Sequence, residues 1–312
     1  MLLIIEALVL VSAALGQVSL AAVEGQPFTL DMALNSVDDL YYGCKEKMAK
    51  QVKTKYLKKE LNNSVVFKKV WKIGKKKVSR KFKIAIYAYT YTQIKTNLNI
   101  YVKFNNETRY GKQNYTVMKY KWYSLHFLLT KALHILKKKQ NRCFDTFRGT
   151  NVTFENDVLN KEVRFGSFTS SSLDRNKAEE FGTVSCFEIH TCEGANITKY
   201  SMFPDEREVL IPPYEKFNVT AIRTGTDQKH RGCQTVFVLN STGIRSDLNC
   251  ALFNQGGSAK NRQLSAGSGR HWQQEVAATK TGRQLSLKTD NRRDERRRLP
   301  PAARQINNNI NL

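Results

Sequence analysis

Two glutamates lie one residue apart in the segment FPDEREVLIPPYEKF (203–217), directly before an apolar run. If this segment is an extended strand, its side chains alternate between two faces, so Glu206 and Glu208 project together and Arg207 projects away. Two carboxylates about 7 Å apart disfavour each other's ionised form. The pair therefore predicts either a solvated surface or a site that uses two carboxylates, and the triplet alone does not choose between them.

Two further segments carry residues suited to chemistry on a sugar. FRGT places Arg148 before Gly149, where the missing side chain lets a phosphate or an amide approach the backbone. FTSSSL places three hydroxyls, Ser170 to Ser172, beyond Phe168. An arginine for a pyrophosphate, a serine for a sugar edge and a carboxylate for positive charge are what cleavage of a glycosidic bond to a cationic leaving group requires.

The order of these segments resembles a known enzyme family. Arginine, then triple serine, then Glu-x-Glu, in the contexts FRGTNVTF, VRFGSFTSSSL and FPDEREVLIPPYEKF, is similar to the vertebrate arginine-specific mono-ADP-ribosyltransferase ecto-enzymes, whose Arg-Ser-Glu signature is shared with cholera-type toxins. The likeness extends to LDMALNSVDDLYYGC, LHFLLTKAL and IHTCEGA and covers roughly residues 28–252. It implies an enzyme that transfers ADP-ribose from NAD to arginine side chains of extracellular or cell-surface proteins and releases nicotinamide.

The resemblance also implies which residues bind NAD. Arg148 would contact NAD, with the backbone of Gly149 beside the nicotinamide amide. Ser170 would support the nicotinamide ribose and the catalytic glutamate. Phe181, in the segment AEEFG, would pack on the nicotinamide ring.

The same resemblance gives the two glutamates different roles. Glu208 would be the catalytic carboxylate, because departure of nicotinamide leaves an oxocarbenium-like ribose that an ionised carboxylate stabilises. Glu206 would favour arginine as the acceptor. A guanidinium with a pKa above ~12 is a poor nucleophile, so a second carboxylate must hold it and help to accept its proton.

The elements that would position these residues predict an α+β fold, with a helical N-terminal half packed on a β-rich C-terminal half. A helix is expected from about 43 to 62, and the leucine periodicity of YSLHFLLTKALHILKKKQ predicts a core-facing helix in which His126 and His134 are structural. KIAIYAYTYTQI reads as a strand or as a buried helix. Short alternating runs from about residue 143 predict a compact antiparallel sheet. The resemblance implies that this fold carries the NAD cleft of the ADP-ribosyltransferases.

The ends of the chain differ in composition from its middle. Residues 1–22 are expected to be a signal peptide, and residues 23–255 to form the catalytic domain. Residues 256–312 are polar, glycine-rich and basic, so we expect a disordered tail. No hydrophobic GPI signal is visible, which predicts a secreted protein that associates with membranes only if the first segment is retained.

Cysteines and sequons agree with secretion. The chain has six cysteines without a C-x-x-C pair, and seven N-x-S/T sequons, at Asn62, Asn106, Asn114, Asn151, Asn196, Asn218 and Asn240. Spacing leaves fifteen disulfide pairings open. The resemblance favours Cys44–Cys250 and Cys143–Cys192, which leaves Cys186 and Cys233 for a third bridge. No cluster of metal ligands appears, so NAD as substrate is expected without a metal.

A net charge of +24 is unusual for a secreted protein. It is concentrated in KKVWKIGKKKVSRKFK (68–83) and NRRDERRRLPPAAR (291–304), which predicts attraction to anionic glycans or lipid surfaces through the overall field, without a specific nucleic-acid partner. Solvated charged faces and a disordered tail are the alternative explanation.

Two other functions stay open at this point. An NAD glycohydrolase would use the same site with water as the acceptor, although an intact Glu206 argues against it. A catalytically silent basic glycoprotein that binds anionic surfaces would be expected to lack a signature residue, and here all are present. A glycan on Asn151, three residues after Arg148, would crowd the cleft unless that side chain points outward or the sequon is unused.

Overall fold

The computed structural model describes residues 27–91, 100–224 and 232–253. The expected signal peptide (1–22) and the expected basic tail (256–312) lie outside the described residues. Among the described helices, none has both the length and the apolar composition needed to cross a membrane.

Helices form the N-terminal half of the described chain. The predicted helix over 43–62 is confirmed as a helical segment over 45–63, in which a π-helical turn, Val52–Tyr56, joins two α-helices. The α-helices of this half are α1 Lys45–Gln51, α2 Leu57–Asn63, α3 Val65–Lys77, α4 Lys81–Thr90, α5 Tyr101–Tyr110, α6 Lys112–Thr116 and α7 Tyr123–Gln140.

Helix α7 is the predicted core-facing helix, and its bounds match the leucine pattern. Leu125 and Leu129 are fully buried, and each such side chain contributes about 2 kcal/mol of burial energy. The helix begins where the buried carboxylate of Glu60 on α2 accepts the backbone N–H of Ser124, at 2.9 and 3.2 Å. It ends at Asn141, whose left-handed backbone closes the last turn after three lysines.

Both histidines of α7 are structural, as expected. The ring of His126 lies between the hydroxyl of Tyr41 and the carbonyl of Val37, each at 2.8 Å. His134 lies 3.1 Å from the hydroxyl of Tyr214. Burial lowers the pKa of each ring to about 4, so both are neutral at physiological pH.

Helix α4 decides the ambiguous segment in favour of a buried helix, and the strand interpretation is wrong. Ile84, Ala85, Ile86 and Ala88 are all buried, and the partly exposed side chains Lys83 and Tyr87 form only a narrow exposed stripe. With so few polar residues the helical period is not visible, and the alternating aromatic and aliphatic residues imitate a strand. Short apolar runs of this kind do not distinguish the two structures.

The C-terminal half forms one eight-stranded sheet. Its strand order is β2-β7-β8-β4-β1-β3-β6-β5. Neighbouring strands are antiparallel except β4 and β8, which are parallel, so the expectation of an antiparallel assembly fails at that one pair. The strands are β1 Phe144–Thr150, β2 Glu162–Val163, β3 Thr169–Ser172, β4 Ser185–Thr191, β5 Ala195–Asn196, β6 Glu208–Ile211, β7 Glu215–Thr224 and β8 Thr235–Ile244, and a short helix α8, Arg175–Glu179, follows β3.

Two buried clusters cover opposite faces of the sheet. The larger cluster packs the N-terminal helices against residues such as Phe168 and Leu210. The smaller one contains Ile211, Phe187 and Phe237. Leu210 and Ile211 are neighbours in β6 and point to opposite faces, so the strand is buried on both sides and does not alternate with polar residues.

All six cysteines form disulfides. Cys44–Cys250 and Cys143–Cys192, which the resemblance favours, are both present, and the remaining pair forms the third bridge, Cys186–Cys233. Cys44–Cys250 spans 206 residues and joins the start of α1 to the segment after β8. The backbone N–H of Cys250 also donates to the carboxyl group of Asp39 at 2.9 Å, and burial raises the pKa of Asp39 to about 7.

A buried ion pair includes Asp38, which lies close in the sequence to Cys44 of the Cys44–Cys250 disulfide. The carboxylate of Asp38 accepts the backbone N–H groups of Asp247 and Leu248, each at 3.0 Å. Its second partner is Arg164, whose Nη1 lies 2.8 Å from Asp38 Oδ2, with side chains only 0% and 1% exposed. Hydrogen bonds to Asp38 and Asp39 and the Cys44–Cys250 disulfide therefore tie the segments 38–44 and 246–250 together, and Arg164 pairs with Asp38 from outside both segments.

Candidate active site

Three neighbouring strands bring the signature residues together. In the sheet, β3 lies between β1 and β6, which carry Arg148 and Glu208. Arg148 Nη1 donates to the backbone carbonyl of Ser170 at 2.8 Å, and Ser170 Oγ donates to Glu208 Oε1 at 2.6 Å. Residues separated by 22 and 38 positions thus meet on one side of a cleft.

Glu208 is a buried carboxylate with a donor on each oxygen. Its side chain and backbone together are 1% exposed. Ser170 donates to Oε1, and Ser201 Oγ donates to Oε2 at 3.0 Å. Hydrogen bonds to an ionised group are stronger than neutral ones and offset part of the cost of burying the charge.

Each serine of the triple-serine strand holds a different part of the glutamate segment. Ser170 binds the Glu208 side chain, Ser171 Oγ donates to the carbonyl of Val209 at 3.0 Å, and Ser172 Oγ donates to the carbonyl of Glu206 at 2.7 Å. The run of three hydroxyls therefore fixes the backbone on both sides of Glu208 as well as its carboxylate.

Glu206 does not share a strand face with Glu208, so that expectation is wrong. Pro204–Glu206 forms a 3-10 turn, Arg207 follows in the left-handed conformation at φ 47°, and β6 begins only at Glu208. Proline is favoured at the first position of a helical turn, which Pro204 occupies. The left-handed conformation of Arg207 then changes the direction of the chain before the strand. Both glutamates nevertheless line the same cleft.

Gly149 has a packing reason in the structure, which differs from the reason expected. A Cβ at this position would lie 2.2 Å from the carbonyl oxygen of Gly182 and 2.5 Å from that of Ala178. The room left by the missing side chain is therefore taken by the backbone at and after α8, rather than kept open for a phosphate. This close approach brings the segment that carries Phe181 to the edge of the cleft.

Aromatic and amide side chains form the other wall of the cleft. Tyr89 donates its hydroxyl to the carbonyl of Phe168 at 2.9 Å and accepts from Asn105 Nδ2 at 3.1 Å. Burial, with the nearby charge of Glu208 as a smaller cause, raises the pKa of Tyr89 to about 12, so it is a neutral hydroxyl. The wall also contains Tyr101, Phe147 and Phe181.

Several of these residues carry no signal in the sequence. Tyr89 and Asn105 belong to α4 and α5, outside every motif. Tyr89 reaches the cleft because it contacts Phe168, directly before β3, and Asn105 binds the hydroxyl of Tyr89. Ser201 follows the N-I-T sequon of Asn196 and carries no local signal. A turn before Glu208 could have been anticipated, because in FPDE the proline Pro204 is followed by two acidic residues.

Two further expectations concern the surroundings of the cleft. Asn151 is exposed, which agrees with an outward-pointing sequon. Among the described residues, Cys143, His190 and Cys192 form a group close enough to hold a metal ion, but their two sulfur atoms are joined in a disulfide and so supply no thiolate.

Comparison with known proteins agrees with this geometry. A family model described as NAD:arginine ADP-ribosyltransferase matches residues 30–235. The chain is 34% identical over 238 residues to NAD(P)(+)–arginine ADP-ribosyltransferase 2 of Gallus gallus, which covers 72% of each chain. It is 31% identical over 308 residues to ecto-ADP-ribosyltransferase 5 of Rattus norvegicus, covering 91% of this chain and 96% of the relative.

Solved structures give the same result. The crystal structure of the eucaryotic mono-ADP-ribosyltransferase ART2.2 matches with a TM-score of 0.59 and 32% identity, over 72% of this chain and 99% of that one. A variant of ART2.2 in complex with NAD matches with a TM-score of 0.57 and 30% identity, with the same coverage. The protein belongs to the NAD:arginine ADP-ribosyltransferase family.

Proposed function

We propose that the protein transfers ADP-ribose from NAD to arginine side chains of extracellular or cell-surface proteins and releases nicotinamide. The observation that carries this proposal is the buried Glu208 carboxylate, held by two hydroxyls in a cleft that it shares with Arg148 and a second carboxylate. The family to which the chain belongs supports the same reaction.

In the first step, the bond between C1′ of the ribose and the nicotinamide nitrogen breaks. The electron pair leaves with nicotinamide, and positive charge develops on the ribose. Glu208 is proposed to stabilise this charge, and its fixed position in a water-poor site makes the attraction stronger than it would be in bulk water. Ser170 would orient both the ribose and the carboxylate.

The remaining NAD contacts follow from the cleft wall. Arg148 is proposed to contact NAD with its cationic side chain, and the backbone of Gly149 to lie beside the nicotinamide amide. Phe181 would pack on the nicotinamide ring from the segment that follows α8, which suits an aromatic side chain at the cleft edge.

In the second step, a guanidinium nitrogen of the acceptor forms a bond to C1′ and loses a proton. Glu206 is proposed to hold the guanidinium and help accept that proton. Its location in a turn at the cleft, partly exposed, supports a role toward an incoming protein side chain. The same location argues against the alternative of an NAD glycohydrolase, which needs only water as its acceptor.

Incorporation of labelled ADP-ribose from NAD into a small guanidino acceptor tests the reaction. The full chain, secreted from cells, should transfer label, and Glu208→Gln should abolish both transfer and nicotinamide release. Glu206→Gln should lose transfer while retaining NAD hydrolysis. Equal transfer by parent and Glu208→Gln would contradict the assignment, and hydrolysis without transfer by the parent would make it a glycohydrolase.

A folded parent that neither transfers nor hydrolyses would instead support the catalytically silent alternative. Retention of the parent's unfolding transition in each variant, measured by circular dichroism, is the control for misfolding.

An extracellular location is supported by the relatives whose names describe ecto-enzymes. We propose secretion through a signal peptide over residues 1–22, with the catalytic domain over 23–255 and a basic tail over 256–312. N-terminal sequencing of the secreted protein would test the first boundary, since a retained leader would instead indicate a membrane anchor.

We also propose that the charge draws the protein to anionic surfaces, and that glycans rather than lipids are bound. Five lysines, Lys53, Lys58, Lys68, Lys72 and Lys75, line a groove of about 390 Å³ between the segments that form α1–α2 and α3. We call it the lysine groove; its apolar lining residues are Leu57, Leu61 and Trp71.

The shape of the lysine groove favours a linear glycan over the flat surface of a bilayer. A sulfated glycan is a linear polyanion that can enter a groove and contact cations on both walls, whereas the surface of a bilayer reaches only its rims. Each lysine stem also covers apolar surface while its ammonium group stays in water. The sequon residue Asn62 lines the same groove, so a glycan attached there would compete for the space.

Elution from immobilised heparin separates this site from bulk charge. The triple variant Lys68→Gln, Lys72→Gln, Lys75→Gln should elute at clearly lower salt than a control with Lys119→Gln, Lys138→Gln and Lys139→Gln, which has the same net charge. Equal elution of the two triple variants would mean that heparin binding depends on the overall charge of the protein and not on the lysine groove. Stronger binding of the parent to phosphatidylserine vesicles than to heparin would favour lipid and overturn the glycan proposal.

A further inference from the structure

Ser201 contacts the Glu208 carboxylate from the side away from the cleft. Its Oγ donates to Glu208 Oε2 at 3.0 Å and accepts the backbone N–H of Phe203 at 3.1 Å. Its own backbone N–H donates to the carbonyl of Ile197 at 3.0 Å, which fixes the residue on the loop after β5. Ser170, on Oε1, lines the cleft, and Ser201 is not among the residues that line it.

This difference in position separates the tasks of the two hydroxyls. Ser170 lines the cleft in which the ribose would bind, so its hydroxyl can contact both the substrate and Glu208. Ser201 is not among the lining residues, and its hydroxyl donates to Glu208 Oε2. A hydrogen bond from Ser201 to Oε2 fixes the orientation of the carboxylate, so that Oε1 stays directed toward the position of the sugar.

The same hydroxyl also connects the two carboxylates. Phe203, whose N–H is bound to Ser201 Oγ, directly precedes the 3-10 turn Pro204–Glu206. One oxygen atom therefore sits between the side chain of Glu208 and the backbone that leads to Glu206, and it limits how far the two glutamates can move apart.

We propose that Ser201 is a positioning residue for the ADP-ribosyl transfer reaction, acting through Glu208 and not on substrate. The inference rests on the proposed catalytic role of Glu208. It assigns Ser201 the task of holding the Glu208 carboxylate in a fixed orientation.

Steady-state kinetics of Ser201→Ala test the proposal. Loss of one charge-assisted donor should lower kcat by about 10- to 100-fold and change KM for NAD by less than about threefold. Nicotinamide release and transfer to the guanidino acceptor should fall together, because both depend on Glu208. Ser201→Thr, which keeps the hydroxyl, should recover most of the activity.

Ser241→Ala is the matched control, because Ser241 Oγ donates to another buried carboxylate, Glu215 Oε1, at 2.7 Å, away from the cleft. It should cost stability without lowering kcat. If Ser201→Ala behaves like Ser241→Ala while Glu208→Gln is inactive, the positioning role is wrong and the proposed function stands. If Glu208→Gln keeps full activity, the proposed function itself fails.

Discussion

At the scale of single residues, Glu206 and Glu208 occupy unlike surroundings although one residue separates them. Glu208 is buried at the start of a strand with a hydroxyl on each oxygen, and Glu206 lies in a turn held by its backbone carbonyl. The difference suits one carboxylate to a charge that develops within the cleft and the other to a partner that arrives from outside.

The positions of Arg148, Ser170 and Glu208 could be predicted because a joint motif encodes them. Ser201 and Tyr89 could not, because their contribution depends on which loop or helix the fold places behind the carboxylate. The strand expected at Glu206 failed for a local reason: a proline and a left-handed arginine interrupt an alternation that the residue types alone support.

Gly149→Ala should destabilise the protein by about 2–4 kcal/mol, because the added methyl group would meet two backbone carbonyl oxygens at 2.2 and 2.5 Å. Activity should fall as well, since α8 must move away and Phe181 with it. Urea unfolding measures the first effect and nicotinamide release the second.

Gly74→Ala is the comparison for this variant. There the nearest atom is the side-chain Cγ2 of Ile84 at 3.1 Å, which can shift, and alanine is the better helix former. We expect a change within about 1 kcal/mol. Equal effects of the two substitutions would mean that α8 does not pack as closely on Gly149 as described.

At the scale of elements, secondary structure could be predicted where the hydrophobic period is strong. It could not be predicted for elements that are buried on most sides. The leucine pattern of α7 gave its bounds, whereas α4 and the two-faced strand β6 lack a polar stripe or a polar face from which the period could be read. The parallel pairing of β4 with β8 was also unpredictable, because it joins strands that the chain visits far apart.

The start of α7 depends on a carboxyl group from another helix. Glu60 is buried at the first N–H groups of α7, and burial raises its pKa to about 8, so the neutral acid predominates near pH 7. Glu60→Ala should cost about 2–3 kcal/mol, because it leaves the buried N–H of Ser124 without an acceptor.

Glu60→Gln should cost less than about 1 kcal/mol near neutral pH, because the amide resembles the neutral acid in shape and keeps a carbonyl oxygen for Ser124. Urea unfolding of both variants at pH 6.5 makes the comparison. A glutamine variant as unstable as the alanine variant would show that the negative charge, and not the acceptor, stabilises the helix start.

At the scale of the whole molecule, buried acids control how stability depends on pH. Burial raises the pKa values of Asp39 and Glu215 to about 7 and that of Glu60 to about 8. Because these values exceed those of the unfolded chain, the folded state holds more protons, and the stability that this provides is lost as pH rises. His126 and His134 act in the opposite direction, most strongly below about pH 6.5, where the unfolded histidines are largely protonated.

Between pH 6.5 and pH 8 the three acids outweigh the two histidines, so the free energy of unfolding should fall by about 2–3 kcal/mol. Chemical denaturation across this range, with the disulfides intact, measures the slope. Glu60→Gln should remove about half of the fall, because Glu60 has the highest of the three pKa values. A flat profile, or one that rises, would contradict burial of these acids in the neutral form.

The strand order also determines when the sheet can be completed during synthesis of the chain. β8, the last of the described strands in chain order, lies between β7 and β4, and Cys250 must then reach Cys44 across 206 residues. The ribosome has therefore released almost the entire domain before the sheet is continuous. Strands β1, β3 and β6, which carry the signature residues, are adjacent without β8. We therefore expect a nascent chain to pair these strands first and to add β8 and the Cys44–Cys250 disulfide last. Oxidation in the secretory pathway should accordingly seal Cys143–Cys192 before Cys44–Cys250, and translation stalled ahead of β8 should yield a chain recognised by quality control.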